Sequence, residues 1–383
     1  MPGDCTAEAR EAYACTATAT LSWPPRTSAW PTSIRAIAAE SGGAEAFIGN
    51  VLAPAAAILD DLRHARHAGS PHSAEITRTL GYLLWLPASD WVPAAMLWWL
   101  GKGKDPAQLA RFLQALDRLA YGLRILGLGS NRRTQRFGSV ITAIRNGADL
   151  EAAGSPLALS REELRNIDYN LKDLHARSAP LCRLVLLRLN DEIAGSRQSL
   201  PLDELTVEHV LPKKPGPGSQ WRSCFPDAQE RDPCTQALGN LVVVTKAQND
   251  KAANLDFARK HAIYFATAGA PTPAINEYVR GQKEWTPAQV RERDADLRGD
   301  DPETDLADLA CNLPIIFRLQ IAGDDGAEDR VKARFQFLRQ ARDLLRDIIN
   351  PDHGGAGEQA EDGKIEPAAA PFSGVGSSEK SKP

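Results

Sequence analysis

Two short β-branched runs, residues 206–210 and 241–245, do most to limit what this chain can fold into, because almost everything around them carries helical periodicity. Pro212 closes the first run, since proline has no backbone N–H to donate to a ladder. Gly239 and Asn240 break the chain just ahead of the second. Adjacent strand residues point to opposite faces, so the neighbours Glu208 and His209 can serve one site only where the strand end twists into a loop. Past the second run, Asn254 is placed to cap a helix over 255–268. In that helix Phe257, His261, Tyr264 and Phe265 recur at helical spacing, and Gly269 is its stop. The expected order is strand, long loop, strand, helix, with Asn240 at the mouth of the second strand and Asn249 nine residues on, entering the helix.

This layout predicts a mainly α chain with an embedded ββα-metal (HNH/His-Me finger-like) nuclease motif. The Glu208 carboxylate and the Asn249 amide oxygen are hard ligands, suited to a Mg²⁺ or Mn²⁺ ion that completes its shell with water and phosphate. An unmetallated His209 can take a proton from an attacking water near neutral pH. Asn240 can hydrogen-bond across the loop to hold the backbone that carries the histidine.

These residues resemble the HNH-like C-terminal nuclease domain of the GmrSD class of modification-dependent restriction enzymes. The shared marks are Glu208, His209 and Pro212 in the opening, the L-G-N-L turn from Leu238 to Leu241, Asn249, and an F-x-x-K-x-x-x-Y helix through Phe257, Lys260 and Tyr264. The resemblance covers about sixty residues and implies a DNA phosphodiesterase. It makes His209 the base and Glu208 and Asn249 the metal ligands, and gives Asn240 a structural part in the catalytic set. Members of that class commonly carry an N-terminal nucleotide-hydrolysing domain with a D-G-Q-Q-R signature, and that string does not occur here. The implied partners are DNA, possibly modified, and a separate subunit carrying the D-G-Q-Q-R-type domain.

Net charge does not advertise a nucleic-acid binder: it is -4 over 383 residues, so any DNA-binding surface must be local. Residues 205–264 hold eight Lys and Arg against six Asp and Glu. Lys213, Lys214, Lys246, Lys251 and Lys260 are the candidate phosphate contacts there, with solvated surface as the alternative. The segment 130–146 contains Arg132, Arg133, Arg136 and Arg145 with no acid among them. It reads either as a solvated helix face or as a phosphate-tracking patch, for which Arg132, Arg133 and Arg136 are the candidates. The six cysteines form no C-x-x-C pair, which argues against a zinc ribbon. Cys224, Cys234 and His261 match no usual zinc spacing. The first residues include Asp4, Glu8, Arg10 and Glu11 in place of an apolar run, so the expected location is cytoplasmic. Residues 80–100 are apolar but interrupted by Pro87, Asp90 and Pro93, which predicts two short buried helices and no membrane span.

Along the chain, a loose lead-in over 1–31 precedes a helical domain over 32–200, the nuclease motif over 201–269, a helical region over 270–350 and a disordered tail over 351–383. Ser73, Asp90, the Asp105–Pro106 pair and Ser160 are the expected helix starts, with helices over 73–86, 90–100 and 160–177. Trp221 and Phe225, in the long loop 213–237, are expected to pack over the small core, with base stacking as the alternative. The main rival to a nuclease is a non-catalytic DNA-binding or regulatory subunit that keeps the fold. A secreted nuclease toxin is a third reading, disfavoured by the charged start.

Overall fold

The computed structural model describes residues 39–298 apart from 153, 196–199, 201 and 266–271, all within one unit, Met1–Ala333. The lead-in over 1–31, the tail over 351–383 and residues 328–349, whose Val331, Phe335, Leu338, Leu345 and Ile348 read as an amphipathic helix, lie outside the described residues.

Five helices build the first half: α1 (Ala53–Arg63), reached through the turns Ala44–Phe47 and Ile48–Leu52, α2 (Ser73–Trp85), α3 (Val92–Lys102), α4 (Pro106–Ile125) and α5 (Ser130–Arg145). Asp105 starts α4 as its sequence requires: the side chain accepts from the N–H of Ala107 and Gln108, and Pro106 fills a position whose N–H has no helical partner. The stripe Leu109, Phe112, Leu113, Leu116, Leu119, Ala120 and Leu123 is buried along its length. Helix α3 packs against α1, α4 and α5, and Trp98 stacks on Phe112 at 4.5 Å between centroids. Two of the expected caps work otherwise. The α2 helix does begin at Ser73, but the cap is His72, and the Ser73 hydroxyl accepts from Ser70 N–H. Asp90 lies two residues ahead of α3 and pairs with Arg133. Residues 80–100 do form two separate helices, and among the described residues no helix is long and apolar enough to cross a membrane.

A capping box between Ser160 and Glu163 starts α6 (Arg161–Leu171). The helix does not run on to Arg177: it breaks at 172–173, and α7 (Leu174–Arg177) follows as a separate turn. Helix α8 (Ala179–Ala194) is capped by Ser178 and stopped by Gly195 at φ 71°, a left-handed position that suits glycine. Its Arg188 pairs with Asp117 of α4 at 2.5 Å, beneath the rings of Tyr82 and Tyr121.

The sheet has two antiparallel strands, β1 (Leu205–His209) and β2 (Leu241–Thr245), in register from Leu205↔Thr245 to His209↔Leu241. The first strand sits one residue earlier than its β-branched run suggests. Even so, Val210 N–H donates to the Asn240 carbonyl at 2.9 Å and carries the bonding past His209. Strand β2 is buried on both faces, which explains its continuous apolar run. Val242 and Val244 face a core with Trp221, Phe257 and Trp285, while α8 packs against both strands. The connection between the strands contains α9 (Gln220–Cys224) and α10 (Ala228–Gln236), and Trp221 and Phe225 are core residues, unavailable for base stacking.

After β2 the structure departs from expectation. An additional helix, α11 (Lys246–Ala252), comes first, and α12 (Phe257–Phe265) then lies within the helix expected over 255–268, whose last residues and Gly269 stop fall outside the described residues. The last strand residue, Thr245, forms a capping box with Gln248, so α11 starts directly from the strand, while α12 begins three residues past Asn254. Ala253, at φ 37°, ends α11. Asn249 is therefore inside α11, not at the entrance of a later helix. The sequence over 271–284 and 287–298 reads as two further helices; among the described residues the first holds only a short turn, Ala274–Asn276, then α13 (Glu277–Arg280), and the second is α14 (Pro287–Arg298).

Helix α14 locks the turn Leu238–Asn240 that opens β2. Gly239 N–H donates to the Asp294 carboxylate at 2.9 Å, and Arg293 donates to the carbonyls of Gly239 and Leu241 at 2.6 and 2.7 Å. The helix lies so close that a Cβ on Gly239 would collide with the Val290 carbonyl oxygen and the Asp294 backbone nitrogen. Gly239→Ala is therefore expected to cost about 1–3 kcal/mol as an overpacking change, read as a lower urea midpoint at unchanged slope. The control is Gly138→Ala in α5, where an added methyl meets open space. That change is expected to stabilise by about 0.5–1 kcal/mol.

Candidate active site

The site is built where β1 ends. Asn240 is fully buried and spends its whole amide on fixing that end. Its Oδ1 accepts from Leu211 N–H at 2.8 Å and Trp285 Nε1–H at 3.1 Å, and its Nδ2 donates to the carbonyls of Leu211 at 3.0 Å and Thr235 at 3.1 Å. Two acceptor and two donor positions are all an amide has. The backbone two residues past His209 is thus pinned to the start of β2.

From the other side, α12 sends in Lys260 and Tyr264, one helical turn apart. Lys260 Nζ donates to Glu208 Oε1 at 2.7 Å and to the His209 carbonyl at 2.6 Å, and Tyr264 donates its hydroxyl to the same Oε1 at 3.3 Å. The Lys260 side chain is completely buried. Burial pulls its pKa down while the Glu208 carboxylate opposes that shift; burial also raises the Tyr264 phenol, with Glu208 adding to it. This explains the helix pattern physically: Phe257, Lys260 and Tyr264 share one face, the first in the core and the other two on Glu208.

His209 is 6% exposed, and its Nε2 is buried without a hydrogen-bond partner. Its ring meets His175 of α7 edge to face, with centroids 4.7 Å apart and planes at 87°. Lys213 Nζ lies 3.5 Å from His175 Nδ1. Burial pushes the His209 pKa down to about 3, helped by the neighbouring His175, Lys213 and Lys260. The imidazole is therefore uncharged at neutral pH, the form able to accept a proton.

Asn249 lies against β1, with Nδ2 donating to the Val207 carbonyl at 3.4 Å. Both hydrogen bonds to the Glu208 carboxylate fall on Oε1, and Asn249 uses only its Nδ2, so among the described residues no hydrogen bond ends on Glu208 Oε2 or Asn249 Oδ1. One carboxylate and one amide oxygen are a donor set compatible with a hard, mostly hydrated cation. They are too few for a zinc-type centre, and among the described residues no three His, Cys, Asp or Glu side chains cluster to hold a metal. His261 bonds the Arg280 carbonyl at 2.9 Å, outside any such group.

The basic candidates divide. Lys213, Lys214, Lys246, Lys251 and Arg132 are exposed, Lys246 while pairing with Asp250 at 3.1 Å. Three others do not offer charge to a ligand. Lys260 is buried on Glu208, Arg133 is held by Asp90 at 2.7 Å and the Leu128 carbonyl, and Arg136 binds the Pro156 and Ala158 carbonyls and Glu163. In each case an acid from another element, invisible in the local sequence, claims the cation. Lys260 and Tyr264 as partners of Glu208, and His175 beside His209, were not anticipated from the sequence. Lys260 as the partner of Glu208 was signalled by a lysine on the apolar face of its helix, whereas nothing local marks His175.

Residues 160–299 match the family model for the C-terminal domain of GmrSD restriction endonucleases. The match runs from the Ser160 cap to just past α14 and contains the whole site, while α1 to α5 lie outside it. No curated protein and no solved structure matches this chain.

The Lys260–Glu208 pair is expected to behave as a buried ion pair. Lys260→Met leaves the carboxylate facing an apolar side chain and should cost about 3–5 kcal/mol of stability. Adding Glu208→Leu to that variant should recover much of the loss. A double-mutant cycle by urea denaturation measures this as a coupling between the two sites.

Proposed function

We propose that this chain is a divalent-metal-dependent DNA endonuclease of the HNH-like, ββα-metal type, acting as the nuclease part of a modification-dependent restriction system. The observation that carries the reading is His209: an uncharged imidazole with an unpartnered nitrogen, set beside a clamped Glu208 in the segment that matches the restriction-endonuclease family.

In this reading Glu208 and Asn249 would hold Mg²⁺ or Mn²⁺, since each keeps a side-chain oxygen that takes no hydrogen bond from the described residues. The ion's contribution is charge stabilisation of the pentacovalent phosphate and the departing 3′ oxygen. Lys260 and Tyr264 fix the orientation of the carboxylate, and Asn240 sets the backbone, so Asn240 supports the site without touching substrate. His209 removes the proton of the attacking water. Burial, with His175, Lys213 and Lys260 beside it, holds the ring's proton affinity down in the free protein, and a phosphate anion seated near Lys213 would raise it. Lys213, Lys214 and Lys251, with Lys246, line the approach to phosphate; Arg132 is a more distant contact in sequence. The products are 5′-phosphate and 3′-hydroxyl ends.

His209→Ala is expected to reduce plasmid nicking by about 10²- to 10⁴-fold while DNA binding persists, the usual worth of a general base. Glu208→Ala should lower metal affinity and nicking together. Nicking that survives exhaustive EDTA, or a His209→Ala protein that cuts like its parent, overturns the assignment. Alone, the protein should hydrolyse neither ATP nor GTP and should nick slowly and without selectivity, losing affinity steeply as salt rises. A partner carrying the D-G-Q-Q-R-type domain should confer preference for modified plasmid. No cleavage even with that partner would assign the chain a binding or regulatory role instead.

A further inference from the structure

We propose, resting on the reading of His209 as the base, that His175 is a positioning residue of this site and sets the plane of the His209 ring. A histidine side chain turns about two torsions, and a hydrogen bond from one ring nitrogen to a carboxylate or carbonyl normally fixes the second. His209 has no such bond at Nε2, which is buried and unpartnered. Its ring is instead met edge to face by His175 at 4.7 Å and 87°, a geometry that aromatic quadrupoles favour and that resists rotation of either ring.

His175 is itself oriented. The Lys213 ammonium can only donate, so its 3.5 Å approach to Nδ1 makes that nitrogen the acceptor and leaves the His175 proton on Nε2. The residue comes from α7, the turn created by the break after α6, whose Leu174 is buried and anchors it. A helix continuing unbroken from α6 would have changed where residue 175 falls. The break thus supplies a ring where the hydrogen-bond scheme of the strand end supplies none.

The test uses the full chain with Mg²⁺ and plasmid substrate, comparing His175→Ala, His175→Phe, His209→Ala and the His175→Ala/His209→Ala double variant. His175→Ala should lower kcat by about 10- to 100-fold with KM little changed, the scale of a misplaced catalytic group. His175→Phe keeps a ring edge without a titratable nitrogen and should restore kcat to within about threefold of the parent. In the His209→Ala background, removing His175 should change nothing further, because its effect passes through His209. Parent-like kcat in His175→Ala overturns the proposal, as does a His175→Phe protein no better than His175→Ala or an additive loss in the double variant. If His209→Ala itself cuts like the parent, the nuclease assignment fails first, and the two failures are distinguished by that single variant.

Discussion

One buried ammonium group holds the site together. Lys260 comes off α12 and reaches both the Glu208 side chain and the His209 carbonyl, two consecutive residues at the end of β1. An isolated cation in that position is very costly, so the lysine is stable only while both acceptors stay within reach. The same requirement holds in reverse for Glu208, which is 8% exposed. Strand end and helix are therefore bound to each other by a mutual need for charge compensation. Tyr264, one turn further along, bonds the same carboxylate oxygen and leaves the other oxygen without a bond from the described residues.

The opposite side of the strand end is held by hydrogen bonds without an ion pair at their centre. Asn240 fills its four positions among Leu211, Thr235 and Trp285, and Arg293 ties the neighbouring carbonyls to α14. A helix some fifty residues further along the chain is thus a working part of the turn. The close approach at Gly239 shows why that turn contains glycine: the helix backbone occupies the space a side chain would need. This framing fixes the backbone that carries His209, whose ring makes no hydrogen bond at Nε2.

The charge pattern follows the same logic. Arginines in α5 look like a phosphate-tracking row in sequence, but Arg133 and Arg136 stitch their helix to Asp90, Glu163 and nearby carbonyls. Free positive charge near the site comes from the segment just past Pro212 and from α11, where Lys213, Lys214 and Lys251 are exposed. A chain of net charge -4 can thus expose local positive charge without a basic composition.

The sequence by itself determined the two strands, the break between them at Gly239 and Asn240, and the helix starts at Pro106 and Arg161. Those features rest on local chemistry: proline without a donor, β-branched runs, and capping hydroxyls and carboxylates within a few residues of the amides they serve. The strand-to-helix junction at Thr245 was also local, as a T-x-x-Q box, though the later Asn254 competed with it as a start signal. Only the tertiary structure decided which charges are free. Lys260 and Lys251 are both lysines near a proposed phosphate, yet one is buried on an acid 52 residues away and the other faces solvent. Nor does any local pattern bring His175 to His209, because that contact depends on where α6 breaks and on how α7 lies against the end of β1. Pairings between distant segments are set by the packing of whole elements, and that information is not carried by the spacing of residues within any one of them.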